Sequence, residues 1–164
     1  MFSIFHSFIT RNIESKSKMK LDKAIEKIDP TFWPRCQAYK YCDIDGEFMG
    51  FTDIYEHLAE IIPKHRIIVD LGCAYATQAV YFLEHKKYIG VDLPSFDTPR
   101  PITPNAQYDI MTIREWIEKE LPKYDKDELF AICSYVPPWH DDNERLVREN
   151  FRHVFVYYPT GRVG

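Results

Sequence analysis

Residues 66–92 read RIIVDLGCAYATQAVYFLEHKKYIGVD, and their pattern predicts the central unit of a larger fold. An apolar run ends in Asp70, a turn of small residues follows at 72–74, and a second apolar run ends in Asp92. The residues between, 76–85, have helical character. This stretch therefore predicts two strands that flank a helix, with a carboxylate at the C-terminal end of each strand.

Helices and strands alternate along the rest of the chain. Prolines at 94, 99, 101 and 104 exclude a regular helix between the second strand and the third, and predict an extended crossover. Strands that are nearly continuously apolar and alternate with helices indicate a parallel sheet covered on both faces. We therefore expect an α/β fold, a three-layer sandwich with a mostly parallel central sheet. The remaining predicted helices are 19–28, 52–62, 113–121 and a last one from 141 or 142 to 151, and the remaining strands are 107–110, 129–135 and 153–158.

Length and composition indicate one packed core. A chain of 164 residues, 45% of them hydrophobic, is long enough for one such core and short for two. Residues 1–50 are predicted to form a helical and aromatic N-terminal extension, and residues 51–164 one compact domain. The sheet edges of that domain favour a homodimer or cover by the N-terminal segment, because a bare edge invites pairing.

Charge and cysteine pattern exclude several classes of function. The net charge of −4 argues against strong attraction to nucleic acid or to an anionic membrane, since phosphate contacts need clustered Lys and Arg. The four cysteines lack the close pairs of a zinc site, so no metal is expected and free thiols in a reducing cytoplasm are favoured. The N-terminus lacks the basic segment of a signal peptide, and no apolar run is long enough to span a bilayer. We therefore expect a cytoplasmic protein.

The predicted topology places a candidate ligand site at one edge of the sheet. In open parallel sheets, ligands bind outside the C-terminal ends of the strands, where the strand order reverses. A carboxylate there suits ribose hydroxyls, because each of its oxygens accepts one hydroxyl proton. The same residues also have structural interpretations, as strand-end caps, as a tight-turn glycine and, for Asp109, as a helix N-cap. The residues expected at this edge are Asp70, Gly72, Asp92, Asp109 and the Pro-Pro-Trp segment at 137–139.

Four segments resemble the motifs of one enzyme family, the Rossmann-like S-adenosylmethionine-dependent methyltransferases. VDLGCAYATQAV, residues 69–80, resembles their first motif, an acid followed by Gly-x-Gly-x-Gly. YIGVD, residues 88–92, resembles the second motif, and YDI, residues 108–110, is similar to the third. SYVPPW, residues 134–139, is similar to the fourth, in which Pro-Pro precedes an aromatic residue.

The resemblance implies a fold, a cofactor and a set of site residues. The fold would be of the Rossmann-like methyltransferase type without its last strands, because only five strands are predicted. The cofactor would be S-adenosylmethionine, with Asp92 on its ribose and Asp70 and Gly72 on its methionine portion. His140 would be the candidate general base. The implied cofactor-binding residues are Asp70, Gly72, Ala74, Asp92, Leu93 and Asp109, and the implied substrate-binding residues are Tyr135, Pro137 and Trp139.

The sequence also departs from the family pattern. Ala74 and Ala76 replace the second and third glycines of the first motif, and Val136 replaces the residue that accepts a hydrogen bond from a target amine. Two hypotheses follow. The first is an S-adenosylmethionine-binding protein and candidate methyltransferase whose acceptor is unidentified. The alternative is a degenerate, non-catalytic relative that keeps the fold as an interaction or structural module.

Overall fold

Five parallel strands form the centre of the structure. The computed structural model describes residue 21 and residues 23–35, 54–93, 99–134 and 142–157 of the chain. The strand order is β3-β2-β1-β4-β5, so the order reverses between β1 and β4. The predicted α/β fold with a parallel sheet is confirmed. The strands are β1 (Ile67–Leu71), β2 (Lys87–Asp92), β3 (Ala106–Ile110), β4 (Leu129–Ser134) and β5 (Val154–Tyr157).

Helical segments cover both faces of the sheet. Most fall where the sequence predicts them, and residues 99–103 of the crossover form no helix, as expected. None of the helices in the described ranges is long and apolar enough to cross a membrane. The α-helices are α1 (23–28), α2 (Phe32–Arg35), α3 (54–61), α4 (Ile113–Lys119) and α5 (Asn143–Asn150), and the 3-10 helices are Thr77–Phe82 and Leu121–Lys123.

The segment between β1 and β2 differs from its predicted conformation. Helical character was expected over 76–85, and the chain forms a six-residue 3-10 helix at Thr77–Phe82 instead. Ala76, at its N-terminal end, has a φ of 51°, which is a left-handed conformation that an α-helix cannot continue from. The change matters for the site, because this helix packs directly under the turn that follows β1.

Side chains alternate across the sheet and build two cores. On one face, strand residues such as Val69 and Val91 pack with Trp116 of α4 and Val147 of α5. On the other face, α3 and the 3-10 helix Thr77–Phe82 pack against residues such as Ile68. Every residue of β1 is buried. A strand covered on both faces has no polar side to expose, which is why all residues of β1 except Asp70 are apolar.

The described part of the N-terminal extension packs on the domain. Leu21, Ile25 and Phe32 form a small cluster with Val80 of the 3-10 helix Thr77–Phe82. Residues 23–35 therefore contact the α/β layer, and the division of the chain at residue 50 stays a prediction.

Gly90 of β2 lies in close contact with two neighbouring side chains. A Cβ added there would lie 2.8 Å from a ring carbon of Tyr108 and 2.9 Å from the sulfur of Cys73, both closer than real Cβ contacts. Cys73 and Cys133 are free thiols and are buried. The absence of a side chain at Gly90 therefore lets the turn after β1 pack down on β2.

Gly90→Ala is expected to destabilise the fold by about 1–3 kcal/mol, because the new methyl overpacks this contact. Urea denaturation measures the loss. The double variant Cys73→Ala/Gly90→Ala removes one of the two clashing atoms. Its loss should therefore be smaller than the sum of the two single losses, and additive values would contradict this packing.

Candidate functional site

The C-terminal ends of β1 and β2 bring several predicted site residues together. In the sheet register, Leu71 pairs with Val91, the last pair before the turn that follows β1. The backbone N–H groups of Gly72 and Cys73 both donate to the Val91 carbonyl, at 2.8 and 3.0 Å. The turn therefore lies against the end of β2, beside Asp92.

The turn after β1 contains three residues with positive φ. The φ angles are 81° at Gly72, 49° at Ala74 and 51° at Ala76. The family motif that this segment resembles has glycine at these three positions, and the left-handed conformation is the one glycine adopts without steric cost. Each alanine therefore costs roughly 1–2 kcal/mol of backbone strain. Ala76 is fully buried among core residues, whereas Ala74 is partly exposed.

Asp92 lies at the end of β2 with its carboxylate oriented by the turn. One oxygen, Oδ2, accepts the Ala74 N–H at 2.5 Å, and Oδ1 accepts the Leu93 N–H at 2.7 Å. The side chain is partly exposed, and Leu93 is 38% exposed. A carboxylate offers about four acceptor positions, so roughly two remain for a ligand beyond these N–H groups. Asp92 thus meets the geometric requirements for hydroxyl recognition.

Asp70 has a very different environment from Asp92. Its side chain is 0% exposed. Tyr55 donates to Oδ1 at 3.2 Å, and both the Gln78 amide, at 2.7 Å, and the Tyr88 hydroxyl donate to Oδ2. Ser134, at the end of β4, donates in turn to the Tyr55 hydroxyl at 2.6 Å. The carboxylate therefore joins four elements of the fold and has no exposed surface with which to contact a ligand.

Burial controls the protonation of Asp70. Removal from water, together with a smaller effect of the nearby Asp92 charge, raises the pKa of this carboxyl to about 6. The hydrogen bonds from Tyr88, Gln78 and Tyr55 favour the ionised form, but they do not outweigh desolvation. The Asp70 carboxyl therefore changes charge near pH 6 inside the core.

Asp109 lies apart from the other two acids. Its oxygens accept the Trp116 indole N–H and the Gln107 amide, both at 2.9 Å. Trp116 belongs to the core on the opposite face of the sheet from Asp70 and Tyr55. Thr112, not Asp109, caps α4, because its hydroxyl accepts the Glu115 N–H at 3.0 Å. The described contacts of Asp109 are structural, and its role in cofactor binding stays a prediction.

The predicted substrate-side residues cannot be placed by this structure. Tyr135, Pro137, Trp139 and His140 lie outside the described residues. Ser134, the residue before them, ends β4 next to β1. Their roles stay predictions from the family resemblance.

The crossover between β2 and β3 contributes a site residue that the sequence reasoning missed. Arg100 donates from Nε to the Ala74 carbonyl at 2.8 Å, and its guanidinium carbon lies 5.8 Å from the ring centroid of Tyr108. Proline spacing predicts an extended crossover but not which residue faces the turn. No local sequence signal marks Arg100, because the contact joins residues 26 positions apart.

A buried acid at the N-terminal end of the chain supports this crossover. Asp29 is 5% exposed and accepts hydrogen bonds from Ile102 at 2.9 Å, Arg35 at 2.5 Å and both N–H and hydroxyl of Thr31. Burial raises the pKa of Asp29, but the hydrogen bonds from Ile102 and Thr31 and the Arg35 charge outweigh it, so the pKa lies below its usual range. In the sequence, Asp29 reads only as a helix stop before Pro30.

Comparisons with known proteins show no family for this chain. No protein-family model and no curated protein sequence matches the chain. A solved structure described as a "Putative Type II Methyltransferase" from Anaeromyxobacter dehalogenans is similar, with 16% identity and a TM-score of 0.45 over 61% of this chain. The chain spans 42% of that protein's length. The parallel sheet and its strand order are those of a doubly wound, Rossmann-like α/β fold.

The raised pKa of Asp70 predicts a pH-dependent stability. The folded state binds more protons than the unfolded state between the usual carboxyl pKa and about 6, so the free energy of unfolding falls as pH rises through this range. Asp70→Asn removes the titration, and its amide can donate to Tyr55 while Tyr55 donates to Ser134. The stability of the wild type relative to this variant should fall by about 2 kcal/mol between pH 4.5 and 7.5.

Urea denaturation of both proteins across this pH range measures the difference. Asp127→Asn is the matched control, because Asp127 is exposed and pairs with Arg152 at 2.6 Å on the surface. A pH-independent difference between wild type and Asp70→Asn, or the same decline in the control, would contradict the buried titration.

The two left-handed alanines should respond differently to glycine. Ala74→Gly is expected to stabilise the fold by about 0.5–1 kcal/mol, because the relieved strain exceeds the entropy that glycine adds to the unfolded chain. Ala76→Gly also loses a fully buried methyl worth about 0.8 kcal/mol, so no gain is expected. Thermal denaturation compares the two variants, and a destabilised Ala74→Gly would contradict the strain assigned to this turn.

Proposed function

We propose that this protein binds S-adenosylmethionine, with the ribose hydroxyls on Asp92. The observation that carries the proposal is the Asp92 carboxylate, which is partly exposed at the end of β2 and oriented by the N–H groups of Ala74 and Leu93. Its position at the C-terminal edge of a parallel sheet is the usual one for nucleoside recognition in such folds. A carboxylate with free acceptor positions fits a vicinal diol better than a phosphate, which it would repel.

The residues around the rest of the proposed cofactor site differ in how well they suit the ligand. The partly exposed turn at Gly72 and Ala74 would lie beside the ligand, with the Ala74 methyl where the family motif has none. Asp70 has no exposed atom, so a direct contact with the methionine portion requires the hydrogen bonds from Tyr55 and Tyr88 to rearrange. Leu93 offers an apolar surface next to Asp92. The ribose portion is therefore the part of the cofactor that these residues fit best.

Methyl transfer is the finer proposal that rests on this binding. When bound, S-adenosylmethionine supplies an electrophilic methyl group on a sulfonium centre. Displacement of that methyl needs chiefly proximity and alignment of an acceptor. The acceptor site would be formed after β4, from Tyr135, Pro137 and Trp139, with His140 as the candidate base where the acceptor must lose a proton.

The burial of Asp70 favours a second candidate function. The Asp70 carboxylate accepts hydrogen bonds from Tyr55, Gln78 and Tyr88, so this acid of the first motif stabilises the fold and does not contact a ligand. Together with alanines at 74 and 76, this supports a non-catalytic module that keeps the methyltransferase-like fold for interaction or structure. The two candidates differ in one measurable property, which is binding of the cofactor.

Calorimetric titration with S-adenosylmethionine and S-adenosylhomocysteine separates the two candidates. Saturable binding is expected for the wild type. Asp92→Ala should weaken it by at least about tenfold, because a hydrogen bond to a charged group contributes roughly 1.5–3 kcal/mol. Asp127→Asn, an exposed acid in the loop before β4, should bind like the wild type. The absence of heat and of a thermal shift at millimolar ligand would contradict cofactor binding and support the non-catalytic module.

A ligand change tests the assignment to ribose. The 2′,3′-dideoxy analogue of S-adenosylhomocysteine lacks the hydroxyls that Asp92 is proposed to accept. The analogue should bind the wild type more weakly than the parent compound does. In Asp92→Ala, the analogue and the parent compound should bind with equal affinity. Equal discrimination by both proteins would show that the hydroxyls are recognised elsewhere.

A further inference from the structure

The backbone of Ala74 is strained, and hydrogen bonds hold both its N–H group and its carbonyl. Its φ of 49° lies in the region that alanine avoids. Its N–H donates to Asp92 Oδ2 at 2.5 Å, and its carbonyl accepts from Arg100 Nε at 2.8 Å. This strain is comparable with the contribution of one charge-assisted hydrogen bond. Loss of either hydrogen bond is therefore expected to make the left-handed conformation of Ala74 less favourable.

Arg100 is itself held in place from several directions. Its guanidinium lies over the Tyr108 ring, and the Tyr108 hydroxyl donates to the carbonyl of Pro101 at 2.6 Å. The N–H of Ile102 donates to the buried carboxylate of Asp29 at 2.9 Å. Three consecutive crossover residues are thus tied to the sheet and to the N-terminal segment. The position of the Arg100 side chain over the turn follows from these ties.

We propose that Arg100 is the positioning residue of the ligand site. Arg100 fixes the strained backbone of Ala74, and the Ala74 N–H group orients the Asp92 carboxylate toward a ribose diol. The proposal rests on the proposed function, because the ligand of Asp92 is taken to be S-adenosylmethionine. A glycine at position 74 would adopt the left-handed conformation without strain. Alanine adopts it here with the help of the hydrogen bond from Arg100.

The N-terminal segment takes part in the same arrangement. Asp29 and Arg35 pair at 2.5 Å, and Arg35 also reaches the Arg100 carbonyl at 3.4 Å. A continuous series of contacts therefore leads from the N-terminal helices through the crossover to Asp92. The extension therefore contributes to the geometry of the site.

Two substitutions at Arg100 separate its hydrogen bond from its charge. Arg100→Gln places an amide nitrogen, a donor, where Nε lies, and Arg100→Met places a methyl carbon there. The Ala74 amide proton resonance should move upfield in Arg100→Met, because its bond to a carboxylate lengthens. It should stay near the wild-type position in Arg100→Gln. Arg152→Met, an exposed arginine paired with Asp127, is the matched control and should leave this resonance unchanged.

The affinity for S-adenosylhomocysteine gives the functional readout. Arg100→Met should bind about tenfold more weakly than the wild type, and Arg100→Gln within about threefold. Ala74→Gly in the Arg100→Met background should restore most of the loss, because glycine needs no external tie. Equal losses in the Gln and Met variants, or no rescue by glycine, would overturn the proposal.

The two readouts keep this proposal separable from the function itself. If the wild type binds no S-adenosylhomocysteine, the proposed function fails, and the Ala74 resonance still tests whether Arg100 holds the peptide. If the wild type binds and the resonance is the same in all variants, the function stands and Arg100 has no positioning role.

Discussion

The structure depends on the burial of one carboxylate in the middle of a parallel sheet. Asp70 is surrounded by core residues, and an ionised carboxylate without partners would cost several kcal/mol there. Donors from α3, from the 3-10 helix and from β2 converge on it. Each of these elements must keep its position for the acid to remain satisfied. The network thus specifies how the layer of α3 and the 3-10 helix sits on the sheet.

The same requirement explains the irregular segment after β1. Gln78 must reach back to Asp70, and its amide also contacts the Cys73 carbonyl at 3.2 Å. An α-helix that began at Ala76 would need that residue in a right-handed conformation, but it is left-handed. The chain therefore follows a tight turn and a short 3-10 helix. Backbone strain at Ala74 and Ala76 accompanies this arrangement and is offset by the contacts that the turn makes.

Much of the fold could be predicted from the sequence, because its signals are local. Strands buried on both faces appear as apolar runs, and β1, β2 and β4 begin and end within a residue or two of the prediction. The 3-10 helix was not predicted, because neither the left-handed conformation of Ala76 nor the bond between Gln78 and Asp70 is visible in the apolar pattern. The support of the crossover by Asp29 was missed for the same reason. A local pattern shows a helix stop and not the residue 73 positions away that it binds.

Asp70 and Asp92 have similar sequence contexts but different structural environments. Both follow an apolar run, yet in the register Asp70 pairs with Gly90, so it lies two residues deeper than Asp92. Two residues along a strand correspond to roughly 6–7 Å, which separates a core position from the edge of the sheet. Leu71 continues β1 beyond Asp70, whereas β2 ends at Asp92 itself. Strand length after the acid therefore determines which carboxylate supports the fold and which remains available to a ligand.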